Sequence, residues 1–194
     1  AECDAGQVRF QQASIVSLPL EDGCVDGAVI NQVLHHLPEP APGVFPVAEQ
    51  VLTEVRRVLR PGGTLVVNTC SQAQLRDGFW YFQLMPERVR TALRQTYASL
   101  PALTRCLHAA GFASVSRVPV LDQVLAPDHY HQADGPLSEA WRDGDSSWAL
   151  LTADELEGSI ERAQALHDEG ALEGFRDRHD AARRAVGQVT LVVA

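Results

Sequence analysis

Lysine is absent from the 194 residues: all 16 basic positions are arginine, which excludes a lysine Schiff base or a lysine general base. Cysteine is sparse and dispersed. Cys3, Cys24, Cys70 and Cys106 form neither a C-x-x-C pair nor a Cys/His spacing of the zinc kind, so reduced thiols in a cytoplasmic protein are expected and no metal site is. No apolar run reaches the ~18 residues of a membrane span. Residues Ala1 to Gln7 are small and polar rather than a basic segment leading into an apolar one, so no secretory signal is visible, and a first residue other than methionine points to processing or truncation. Positive charge is in deficit: 16 basic against 25 acidic side chains leave a net −9 and a pI near 5.2, which disfavours nucleic acid as a partner because phosphate binding relies on clustered cations. Repeats and low-complexity tracts are also missing.

What remains is ordinary for a globular protein, with 45% hydrophobic and 21% charged residues in a length suited to one continuous core, and a single domain over residues 1–194 is expected. Val8 to Ala13 reads as a short strand, followed by a loop and the turn Glu21-Asp22-Gly23. Val25 to Ile30 is nearly continuous in apolar residues, as a strand buried on both faces would be. Val47, Val51, Leu52, Val55, Val58 and Leu59 recur at helical spacing with charges opposite, and Arg60-Pro61-Gly62-Gly63 stops that helix before a buried strand at Thr64 to Asn68. Helices are predicted over 86–98 and from Pro101 to Ala110, then a strand at Val115 to Val120. Leu121 to Trp148 is irregular. Thr152 and Glu155 have capping-box spacing for a helix reaching about Asp168, a further helix covers about Phe175 to Val186, and Gln188 to Val193 closes as a strand. Alternating strands and helices predict an α/β domain with a mostly parallel sheet and helices on both faces.

Four pieces taken in order carry a resemblance: Val8-Arg9-Phe10-Gln11-Gln12-Ala13-Ser14, Leu18-Pro19-Leu20-Glu21-Asp22-Gly23, Val25-Asp26-Gly27-Ala28-Val29-Ile30, and Gln32-Val33-Leu34-His35-His36-Leu37. With Leu59-Arg60-Pro61-Gly62-Gly63-Thr64-Leu65 and the later Leu107-His108-Ala109-Ala110-Gly111-Phe112, the chain resembles the class I S-adenosylmethionine-dependent methyltransferase family, of the type 11 kind, through most of residues 8 to 120 and again at the final strand. The resemblance implies a Rossmann-like sheet and a cofactor lying across the carboxyl ends of its strands. Carried over by position, Ser14 and Ile15 would lie beside the adenine, and Asn31, Gln32 and Val33 would flank the methionine part. S-adenosylmethionine is the implied cofactor, S-adenosylhomocysteine the product, and a small molecule the acceptor.

The chain departs from the family at its start. The family's opening strand, its glycine-rich turn and the second strand bearing the ribose-binding acid are not found, which amounts to at least one βαβ unit of roughly 30 residues. The expected fold is therefore N-terminally incomplete, with weak cofactor binding by the isolated chain. The missing strands belong between those at Val8 and Val25, so either these two meet directly or an exposed edge remains through which the chain could self-associate.

Candidate chemistry is limited. His35-His36 follows a strand and could supply a base, or could serve only to anchor the loop, and no catalytic residue is assigned. His36, Phe79, Trp80, Tyr81 and His129 are the candidate acceptor contacts: the run Phe79-Trp80-Tyr81-Phe82 is the densest aromatic stretch and suits either an acceptor pocket or core packing. His129-Tyr130-His131 near Asp128 and Asp134 has the look of a metal cluster but lacks a third ligand with clear spacing, and its composition favours a solvated loop or substrate lid instead. Arg142 to Ser147, between Trp141 and Trp148, reads as an exposed acidic turn. Methyl transfer to an acceptor that is already nucleophilic needs positioning more than acid/base groups. The functional readings are a small-molecule methyltransferase, a catalytically inactive remnant acting as a binding or assembly module, and, more remotely, a nucleotide-binding oxidoreductase, against which the lack of a Tyr-x-x-x-Lys pair counts.

Overall fold

The computed structural model describes residues 8–194, so Cys3 and the polar opening segment lie outside the described residues. The Pro46–Val58 segment forms helix α1 because its apolar positions share one face. Ala48, Val51, Leu52, Val55 and Val58 are buried, Pro46 opens the helix, and Glu49 and Arg56-Arg57 suit the two ends of its dipole. Strand β1, Val25–Asn31, precedes it, and strand β2, Leu59–Thr69, follows directly, giving a parallel pair joined by a helical crossover. Between the pairs Val25↔Leu59 and Gly27↔Thr64 the register shifts, because the Arg60-Pro61-Gly62-Gly63 turn is absorbed into β2 as a bulge. Gly62 takes φ +80°, and a Cβ on Gly63 would lie 3.0 Å from the Asp26 carbonyl oxygen, so this turn needs both glycines.

Beyond β2 come helices α2 (Gln72–Asp77), α3 (Glu87–Thr96) and α4 (Leu100–Ala109), then strand β3 (Ser116–Val120). Two short helices, α5 (Pro127–Tyr130) and α6 (Glu139–Arg142), lead to α7 (Ala153–Asp168), α8 (Leu172–Val186) and strand β4 (Val189–Val193). The sheet order is β1-β2-β4-β3, with β4 antiparallel to both neighbours. The expected α/β fold is present: β1, β2 and β3 run in one direction, but only β1 and β2 pair in parallel, because β4 returns from α8 between β2 and β3 in the opposite sense. The capping box at Thr152 and Glu155 forms as its spacing predicted.

Two cores form. One lies between α1, α4 and a single face of the sheet, and contains Ile30, Leu52, Val55, Leu65, Val67, Leu103, Leu107 and Val192. The other gathers Leu75, Trp80, Tyr81, Tyr130, Trp141, Trp148 and Phe175 beyond the carboxyl ends of β1 and β2. The opposite sheet face is open over its outer strands. Val29 is 71% and Val118 50% exposed, and neither they nor their neighbours Val66, Leu191 and Val193 belong to either core.

Two expectations are corrected at the start of the sheet. Val8 to Ala13 is not a strand but exposed coil, with Phe10 96% exposed. No described strand is in position to pair with it, and an isolated extended segment cannot satisfy its backbone by itself. For the same reason β1 is not buried on both faces: only Ile30 is buried, and β1 is an edge strand paired with β2 alone. The loop between the coil and β1 is held by Arg57, which donates to the Leu18 and Leu20 carbonyls and to Asp22. Glu54 completes that clasp by accepting from Arg57 and from the Leu18 amide, and the Arg57 hydrogen bond, then that amide, draw its pKa down to about 2.

Candidate functional site

The carboxyl ends of β1 and β2 open into a cavity of about 250 Å3, walled by Leu75, Phe79, Phe82 and Leu93 and edged by polar groups. At its mouth β1 is followed by Gln32, which has φ +51°, a left-handed conformation that a long side chain adopts at a cost. The turn is pinned by the Gln32 amide donating to the Asn68 carbonyl at 3.1 Å and by the Gln32 side-chain amide donating to Asn68 Oδ1 at 3.3 Å. Asn68 in turn donates to Asn31 Oδ1 at 2.7 Å. These amides link the ends of the two parallel strands.

Deeper in, Cys70, His35 and Tyr97 meet. The Tyr97 hydroxyl and His35 Nε2 lie 3.1 Å apart with the two rings stacked at 4.1 Å, and Gln32 Nε2 donates toward Cys70 Sγ at 3.6 Å. Burial, with a contribution from neighbouring His36, lowers the His35 pKa to about 4, so its ring is neutral at physiological pH. Burial pushes the Cys70 thiol up to about 12, so it is no thiolate nucleophile.

The far wall comes from the segment that reads from sequence as an exposed acidic turn. Asp145 lines the cavity, and its carboxylate accepts from the Tyr81 hydroxyl at 2.6 Å and from the Ser147 amide at 2.9 Å. Ser147 also lines the cavity, is 2% exposed, and its hydroxyl has no partner. Trp141 fixes the segment from behind by stacking on His129 at 3.8 Å and donating Nε1 to the His129 carbonyl. The acidic turn is therefore a cavity wall, because the tryptophans on either side, Trp141 and Trp148, are drawn into the aromatic core.

Of the residues singled out as acceptor contacts, His36 and Phe79 line this cavity. Trp80 is fully buried and donates Nε1 to the Tyr130 carbonyl. Tyr81 is buried and acts on the cavity through Asp145, and His129 stands behind Trp141. Of the residues assigned to the cofactor, Gln32 is at the cavity, Asn31 is the exposed end of β1 beside it, and Val33 leads into the 3-10 turn Leu34–His36. Ser14 sits in a narrow turn closed by a bridge to Ser17, and Ile15 packs against the core beneath the sheet. Cys70, Tyr97, Asp145 and Ser147 were not found from sequence. Only Cys70, two residues past a predicted strand, carried any positional signal.

Among the described residues no cluster of His, Cys, Asp and Glu could hold a metal ion, and no helix is long and apolar enough to cross a membrane.

Residues 1–67 match the family model described as a methyltransferase domain. An uncharacterized 37.1 kDa protein in transposon TN4556 of Streptomyces fradiae is 47% identical over 60 residues, and the match spans 31% of this chain and 15% of that relative's length. Among solved structures, a protein of Anabaena variabilis, named as a methyltransferase from an antibiotic biosynthesis pathway, superposes with a TM-score of 0.72 at 19% identity, covering 99% of this chain and 75% of that one. A second, named as a SAM-dependent methyltransferase of Thermotoga maritima, gives a TM-score of 0.44 at 21% identity over 60% of this chain and 52% of that one.

Proposed function

We propose that this chain, whose residues 1–67 belong to the methyltransferase domain family and whose fold is the class I methyltransferase fold, forms the acceptor side of an enzyme that transfers a methyl group from S-adenosylmethionine to a small molecule. The observation that carries the reading is the cavity at the carboxyl ends of the parallel pair β1 and β2, with the strained Gln32 at its mouth. Ligands of open α/β sheets bind outside those ends, and a side chain held in a left-handed turn there belongs with function.

The residues present fit one part of the cofactor. The methyl-bearing end suits the mouth, where Gln32 and Asn31 offer amide donors and acceptors and Val33 apolar cover. Ser14 and Ile15 would lie along the adenine. The ribose fits less well: a glycine-rich turn and a carboxylate beyond β1 are not among the described residues, and β1 is an open edge. Its free backbone groups, with Val29 and the exposed sheet face, suit a further strand and its helix, supplied by additional polypeptide or by a second copy of this chain.

When bound, the cofactor supplies an electrophilic methyl group. This chain's residues orient the acceptor and exclude water: the apolar walls close around it, and the neutral His35 and Tyr97 pair holds the cavity's polar edge in place. No acid/base dyad is required, because alignment supplies most of the acceleration. Reduced Cys24, Cys70 and Cys106 suit a cytoplasmic setting.

Transfer of labelled methyl from S-adenosylmethionine tests the reading, using the polypeptide as its gene encodes it and a panel of small amines, alcohols and acids. Label is expected in at least one small molecule. A folded polypeptide that binds S-adenosylhomocysteine yet labels none would favour the binding-module reading instead.

A further inference from the structure

Asp145 is the cavity's only carboxylate, and no arginine lines it. Every Arg–carboxylate ion pair among the described residues uses other acids, so Asp145 has no cation of its own. The carboxylate is held rather than free: Tyr81 donates to Oδ2 and the Ser147 amide to Oδ1, which leaves further lone pairs on both oxygens unused. Beside it the Ser147 hydroxyl is buried without a partner, which costs free energy unless something fills the role. Phe79, Phe82 and Tyr97 bring aromatic rings to the cavity, neutral His35 and the protonated Cys70 thiol add no positive charge, and His36 is the remaining ionisable side chain that lines it.

We infer that the cavity takes the ammonium group of a small aromatic or alkyl amine, with Asp145 as its counter-ion and Ser147 Oγ as a second acceptor. This rests on the acceptor-side reading above. It excludes carboxylate and phosphate ligands, which would meet Asp145 with no arginine to pair with. It also assigns Asp145 a part in the transfer. The bound ammonium loses one proton to solvent, its nitrogen lone pair forms the N–C bond as the C–S bond breaks with its electron pair left on sulfur, and the product is a methylammonium beside a neutral thioether. The carboxylate stabilises the resting ammonium at least as strongly as the developing methylammonium, so Asp145 acts by binding and orienting the amine nitrogen rather than by lowering the barrier from the bound ammonium.

Binding alone tests the inference without cofactor. The full 194-residue chain is titrated at pH 7 with phenethylammonium, 2-phenylethanol and 3-phenylpropionate, followed by NMR shifts of the Cys70, Tyr97 and Ser147 amides. Phenethylammonium is expected to bind about tenfold more tightly than the alcohol, with no saturable shift from the acid, and Asp145→Asn to remove that preference. Ser147→Ala gives a second arm: its hydroxyl holds no protein partner, so the fold should be unchanged, while amine affinity falls about threefold. Equal affinity for amine and alcohol, binding of the acid, or unaltered amine affinity in both variants would overturn the inference. Amine binding sensitive to Asp145 in a polypeptide that transfers no methyl group would leave the cation site standing and remove the methyl-transfer reading. Transfer to alcohols or acids alone would do the reverse.

Discussion

Gly187→Ala is expected to cost about 4 kcal/mol or more and to leave much of the chain unfolded at 37 °C. Gly187 joins α8 to β4 with φ +72° and ψ −171°, a region that only glycine occupies freely. A Cβ there would stand 2.2 Å from the Val120 carbonyl oxygen and 3.0 Å from its carbon, both backbone atoms of β3 that cannot turn aside as a side chain would. The Gly187 carbonyl is itself close packed, since a Cβ on Gly78 would lie 2.7 Å from it, and Gln188 beyond donates to the Gly78 carbonyl and accepts from the Leu125 amide. The displacement would therefore spread to the α2 terminus and to the loop leading toward the cavity. A domain with about 5–15 kcal/mol in total has little room for such a loss. Urea unfolding followed by circular dichroism measures it, and a variant within 1 kcal/mol of the parent would show that this backbone contact is not close in solution.

Gln74→Leu should be nearly as damaging, at about 4 kcal/mol, although leucine is similar in volume and apolar. Gln74 is 1% exposed and serves four partners: Oε1 accepts from the Ser71 amide and the Thr190 hydroxyl, and Nε2 donates to the Val186 and Val189 carbonyls. It connects the capping box of α2 to both ends of the α8–β4 turn. Leucine would fill the space and leave those groups in a dry core, at about 1–3 kcal/mol for each one that finds no substitute. Gln74→Glu separates the polar role from shape: it keeps the acceptor, loses the donor and brings a buried charge, so it should fare no better than leucine. The readout is the urea midpoint at constant slope.

Much of this architecture could be read along the chain. The periodicity of α1, the box at Thr152 and Glu155, and the apolar runs of β3 and β4 are local patterns with local causes, and each forms within a residue or two of expectation, whereas β2 begins five residues early because the Arg60-Pro61-Gly62-Gly63 segment is drawn into it. The family resemblance is borne out by the match of residues 1–67 and by the fold. The coil at Val8 to Ala13 had a strand's composition and lacked a partner, which no window of sequence reports. Helix α2 was overlooked although Ser71 and Gln74 carry capping-box spacing, because six polar-rich residues show no periodicity. The largest omission was the cavity wall. Asp145 meets Tyr81 across 64 positions, and its placement depends on Trp141 and Trp148 packing into an aromatic core assembled from remote segments. Composition made that stretch look like a solvated turn. Tertiary packing made it the wall that brings a carboxylate, Asp145, to the cavity.

The central claim is that these residues hold the acceptor cavity and the methionine edge of the donor site, while the ribose side needs more polypeptide against β1. Isothermal titration of the 194-residue chain with S-adenosylhomocysteine tests it most directly. No detectable heat from a chain that circular dichroism shows to be folded is the predicted result. Binding with a dissociation constant near 1 μM, about −8 kcal/mol, would contradict it, since the residues described here would then suffice for the whole cofactor.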